Sequence, residues 1–122
     1  LRGGRGRARA EELLDDGAAL ASMEALIDAQ GRTRAPHPAG SLTREITAPR
    51  AGRVAGMHCS RLSHIARNAG APGLKGGGVD LLKKTGDSVT GGEPLYRIHA
   101  ELRSDFDLAV EMAERDSGVT LE

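Results

Sequence analysis

Between residues 31 and 41 the hydrophobic spacing of this chain changes period, and that change limits what it can fold into. The segment reads GRTRAPHPAGS. Pro36 and Pro38 bar a continuing helix and bias their neighbours toward extended backbone, so residues 32–41 are predicted to be a linker at a domain boundary. Before it the spacing is helical. Leu13, Leu20 and Ile27 recur every seven residues, with Met23 and Leu26 on the same side, which predicts one amphipathic helix over 8–30. Glu11 and Glu12 fall in its first turn, where the helix dipole favours acids. Gly17 interrupts the pattern and signals close packing or a kink, and Gly31 is a natural stop. One helix cannot bury its own apolar stripe, so this one needs a partner surface.

After the linker the period is two. Leu42, Arg44, Ile46 and Ala48 alternate with Thr43, Glu45 and Thr47, which predicts a strand. A turn over Pro49–Gly52 leads to a second strand, Arg53–His58. Residues 60–69 return to helical spacing through Leu62, Ile65, Ala66 and Ala69, with Ser60 as the expected N-cap. Gly70–Gly78 is a glycine-rich loop. Strands are expected over Val79–Lys84, at Val89 and over Leu95–Ala100, separated by turns at Thr85–Ser88 and Gly91–Gly92. A helix is predicted over Ser104–Asp116, opened by a capping box of Ser104 and Asp107, with Phe106, Ala109, Val110 and Ala113 facing inward. Gly118 stops it, and Val119–Leu121 adds an edge strand. Strands, one inserted helix, more strands and a closing helix make an α+β body rather than a βαβ array.

Tyr96 and Phe106 are the only aromatic residues, so the core must be aliphatic. Seventeen bases balance seventeen acids, which removes the usual electrostatic argument for a nucleic-acid binder. The balance is uneven along the chain: residues 41–78 hold six bases against Glu45 alone, and residues 79–122 hold ten acids against five bases. The two segments are expected to neutralise each other on folding. A lone Cys59 excludes an internal disulfide framework and points to a reducing, cytoplasmic setting. No apolar run approaches the ~20 residues of a membrane span, and no signal peptide is evident. The Gly/Arg-rich opening LRGGRGRAR, starting at Leu1, is expected to be a flexible stretch within a longer protein.

Four groups of residues carry chemistry worth weighing. Lys75-Gly76-Gly77-Gly78 has the backbone donors of an anion cradle but lacks Walker spacing, and is expected to be a pliable connection. His58, Cys59 and His64 match no common zinc spacing and lack an acid to orient a thiol–imidazole pair. Lys83 and Lys84 are expected within a strand, not at the exposed hairpin tip that a biotinyl or lipoyl carrier needs. The basic middle segment has no aromatic residue for base stacking.

Two hairpin motifs, EITAPRAGRVAGMH at 45–58 and KTGDSVTGGEPLYRIHA at 84–100, resemble the halves of a biotinyl/lipoyl-type barrel-sandwich. A longer pattern is more specific: DAQG at 28–31, TAPRAGRV at 47–54, LSHIARNAGAP at 62–72, KGGGVDLLKKTGDSV at 75–89 and GEPLYRIHAE at 92–101. In order and spacing these resemble the C-terminal part of the thymidine and pyrimidine-nucleoside phosphorylases, nearest the branch that includes AMP phosphorylases. The resemblance implies that residues 1–31 are the terminal helix of a preceding α/β domain. It implies that 42–122 form a barrel-sandwich domain with an α/β-hammerhead insertion at 60–78. It implies a parent enzyme, a pentosyltransferase, that splits nucleosides reversibly with inorganic phosphate and no other cofactor, working as a homo-oligomer without nucleic acid or membrane. The family's phosphate loop and base-holding residues lie upstream, so no position here inherits a catalytic, substrate-binding or metal-binding role. Leu82 stands where the family often has His. The rival readings are a nucleoside monophosphate phosphorylase parent and a stand-alone barrel-sandwich binding module.

Overall fold

Where the spacing predicts one helix over 8–30, there are two. The computed structural model describes residues 4–32 and 35–122, so the first three residues of the Gly/Arg-rich opening and Thr33-Arg34 of the linker lie outside the described residues. The chain divides into two units between Pro36 and His37. The first holds α1 (Gly4–Asp15) and α2 (Ala18–Gln30). The break comes from Gly17, whose φ of 81° lies in the left-handed region that other residues avoid. Asp16 Oδ1 accepts the Ala18 N–H at 2.8 Å and stabilises the turn. The seven-residue stripe is therefore cut. Leu13 and Ile27 are half-buried, while Leu14, Leu20, Met23 and Leu26 are exposed.

The second unit, His37–Glu122, is a small α+β domain of two three-stranded antiparallel sheets. Its elements are β1 (Leu42–Thr47), β2 (Gly52–Met57), α3 (Cys59–Asn68), β3 (Gly78–Leu81), β4 (Ser88–Val89), β5 (Pro94–Ala100), α4 (Arg103–Arg115) and β6 (Val119–Leu121). One sheet has the order β1-β5-β3 and the other β4-β2-β6. With α1 and α2 that makes four helices among the described residues.

Alternation explains β1. Ile46 enters the core, and Arg44 on the same face reaches the rim and pairs with Glu114 of α4 at 2.7 Å. On the opposite face Glu45, Arg97 and Asp80 lie in one cross-strand row, and Arg97 Nη2 meets Glu45 Oε1 at 2.6 Å. Such half-exposed pairs contribute about 0.2–1 kcal/mol each. In the central strand β5 the buried Tyr96, Ile98 and Ala100 alternate with the half-buried Arg97 and His99, and Leu95 is buried as well. It lies between its two sheet neighbours and contributes four buried core residues, more than any other element. α4 packs across β5 and β1 through Ala109 and Ala113, whose small side chains allow close approach, and α3 lies against α4 and β3. Phe106 and Val110 pack at the margin of the same core.

Both expected helix caps are corrected. His58, not Ser60, occupies the N-cap of α3, and Leu102 that of α4; neither makes a side-chain capping bond. Ser104 instead donates to Asp105, and Asp107 pairs with Arg103 at 3.0 Å, so the capping box does not form. A competing (i, i+4) ion pair has taken the acid. The third strand ends at Leu81, three residues earlier than predicted. Lys84 N–H is held by Asp87 Oδ2 at 3.0 Å in the following turn, where Gly86 supplies a φ of 98°.

Tyr96 ties core to tail. Its ring is fully buried, and its hydroxyl donates to the Ser117 carbonyl at 2.9 Å, just past α4. Burial, then the nearby Asp116 carboxylate, pushes its ionisation up to about 12, against a lesser opposing effect of Arg61. The unfolded phenol ionises near 10, so between about pH 10 and 12 the unfolded state binds fewer protons than the folded one. Stability should fall there by up to about 1.4 kcal/mol per pH unit. Tyr96 is the only tyrosine, so its ultraviolet absorbance titration reports this group alone. Ionisation at the ordinary phenol value with the fold intact would contradict the account.

Candidate functional site

The glycine loop is the first place to look for anion binding, and two of its backbone donors are already used. Gly76 N–H donates to Glu101 Oε1 at 2.7 Å and Gly77 N–H to the Leu74 carbonyl at 3.1 Å. A cradle needs such amides free and convergent. The loop borders an open cleft of about 300 Å³ with His37, Lys75, Asp80 and His99 around it. Within it His99 Nε2 lies 2.9 Å from Asp80 Oδ2, which ties β5 to β3. Lys75 is exposed.

His58, Cys59 and His64 surround the start of α3. Cys59 is exposed, and its thiol finds only the Met57 carbonyl, at 4.0 Å. Among the described residues no group of three His, Cys, Asp or Glu side chains is placed to hold a metal ion. His58 and His64 share a cleft of about 340 Å³ with Ser60, Arg61 and Asp116. Arg61 is committed to structure there. Its Nη2 donates to the Met112 carbonyl at 3.0 Å and its Nε to the Asp116 carbonyl at 3.2 Å, both at the end of α4. The fork thus satisfies carbonyls that a helix C-terminus leaves open.

Lys83 is pinned. It pairs with Glu93 while half-buried, and Glu93 also accepts the Thr90 N–H at 2.8 Å. The bond to Lys83, then that backbone donor, holds the Glu93 carboxyl below the usual range. A carrier lysine must swing on an exposed tip, and this one does not.

The uneven charge is partly resolved by cross-pairing. Arg44 with Glu114 and Arg61 with Asp116 join the basic middle segment to the acidic tail. Arg50 and Arg53 turn to backbone carbonyls instead, at Leu121 and Gly86. Sequence reasoning did not single out Glu101, Gly40, Asp80 or His99. Their roles depend on long-range approach, and only the glycine at position 40 hinted at it.

These ties define the class: a small α+β domain whose polar groups hold elements together. A model of the family described as "Pyrimidine nucleoside phosphorylase C-terminal domain" matches residues 53–119, more than half of the chain. The chain belongs to that family. A protein of Rhodopseudomonas palustris named "Putative thymidine phosphorylase" is 52% identical over 121 residues, covering 99% of this chain and 24% of that protein. Proteins of the same name from Nitrobacter hamburgensis and Methylococcus capsulatus are 57% and 46% identical, over 89% and 99% of this chain. The chain spans about a quarter of the length of these curated relatives. No described helix is long and apolar enough to cross a membrane.

Proposed function

We propose that this chain is the C-terminal part of a thymidine phosphorylase-like pentosyltransferase. In that reading the parent transfers the (deoxy)ribose of a nucleoside to inorganic phosphate, reversibly, and releases the free base. Phosphate is the co-substrate and no other cofactor takes part. The observation that carries the reading is the match of nearly the whole chain, at about half identity, to a quarter of proteins named for that activity.

Several features support the finer assignments. The exposed Leu14, Leu20, Met23 and Leu26 suit helices that end a preceding α/β domain and pack on it. The position of α3 and its glycine-rich exit, between β2 and β3, suits a hammerhead insertion in a barrel-sandwich. The commitment of Arg61, Lys83 and His99 to structural bonds suits a scaffold with no catalytic, substrate-binding or metal-binding residue of its own. The partners are then the upstream domain and further copies of the parent, in a cytoplasmic enzyme.

The full-length parent should release thymine from thymidine only when inorganic phosphate is supplied. Phosphate-dependent release of adenine from AMP, with thymidine inert, would move the parent to the monophosphate-cleaving branch. Turnover of neither would remove the reading.

A further inference from the structure

The start of the second unit is fastened to the glycine loop by bonds that belong to neither sheet. Gly40 N–H donates to the Gly76 carbonyl at 2.7 Å, and Gly76 N–H donates to Glu101 Oε1 at 2.7 Å. His99 faces the Gly40 carbonyl through Nδ1 at 3.4 Å while its other nitrogen meets Asp80. The approach is backbone to backbone. A Cβ on Gly40 would lie 2.3 Å from the Ala100 carbonyl oxygen, and one on Gly77 would lie 2.3 Å from that of Ala69. A Cβ on Gly76 would stand 2.7 Å from Glu101 Oε1 and 2.9 Å from the Gly40 nitrogen. Only glycine fits at these three positions.

We propose that residues 37–41 and the Lys75–Gly78 loop form one latch, with Glu101 as its pin. The bonds act in series. Gly76 is buried, so without the Glu101 carboxylate its N–H has no acceptor and the loop must shift to reach water. That shift moves the Gly76 carbonyl, and the buried Gly40 N–H loses its partner in turn. Glu101 therefore controls the attachment of a segment to which its side chain makes no hydrogen bond, and displacement of the loop at the exposed Lys75 frees that segment. Glu101 is a positioning residue in this device.

Native-state amide exchange of the 122-residue chain, read by NMR, tests it. Glu101→Ala should speed exchange at both the Gly76 and Gly40 amides roughly tenfold or more, with the Tyr96 and Ile98 amides of β5 unchanged. Glu101→Gln keeps a carbonyl acceptor and should restore both. Acceleration at Gly76 with Gly40 unaffected overturns the proposal. The unaltered chain gives a second reading that does not depend on any variant folding. Under rising urea the Gly40 and Gly76 amides should exchange through one shared opening with the same urea dependence, and distinct dependences overturn the latch.

Discussion

Replacing Tyr96 with alanine should unfold, or nearly unfold, the second unit. The ring sits at the centre of β5 with no exposed surface, between β1 and β3 and under α4. Removing a buried aromatic ring costs about 3–5 kcal/mol, because lost transfer energy adds to the cavity left behind. The core has little else to close over that cavity. Phe106 is the only other aromatic residue and lies at the core's margin, and the inner face of α4 is built from Ala109 and Ala113. The Ser117 carbonyl also loses its donor, which loosens the passage from α4 to β6. A unit of this size has about 4–13 kcal/mol of stability in all, so the substitution removes a large share. Tyr96→Phe should cost only about 1 kcal/mol, the net value of one hydrogen bond. Urea unfolding followed by circular dichroism separates the two. A Tyr96→Ala midpoint close to that of Tyr96→Phe would show that the core is not organised around this ring.

Much of this architecture is written in local pattern. The alternation of Leu42 to Ala48 yields β1, the spacing of Leu62, Ile65 and Ala69 yields α3, and Ala109 and Ala113 mark the buried stripe of α4. Local pattern fails where two local preferences compete. The capping box of Ser104 and Asp107 does not form, because Arg103 lies one turn from Asp107 and engages it. Leu13, Leu20 and Ile27 read as one stripe only if Gly17 stays helical, and its left-handed φ breaks the helix there. Alternation in β5 marks its inner face through Tyr96, Ile98 and Ala100, but not its place at the centre of a sheet, which depends on the distant partners β1 and β3. The latch is less legible still. A glycine at position 40 or 76 announces backbone freedom, but whether that freedom serves a turn or an approach to another backbone depends on contacts tens of residues away. The same holds for chemistry. Lys75-Gly76-Gly77-Gly78 has the composition of an anion loop, and only the partners of the Gly76 and Gly77 amides show that those two donors are taken.

If, as proposed, this chain scaffolds chemistry done upstream, the difference in activity between it and its parent is the largest effect of all. Phosphorolysis requires phosphate and nucleoside held in line and the charge on the departing base stabilised by preorganised donors. Several groups here that could supply such donors are engaged elsewhere. Arg61 holds the end of α4, Lys83 holds Glu93, and the Gly76 and Gly77 amides hold the loop. The direct measurement is thymine release from thymidine and inorganic phosphate by the purified 122-residue chain, beside the full-length parent at equal concentration. The account predicts turnover by the parent and none above the buffer blank by the chain; phosphate-dependent turnover by the chain alone would contradict it.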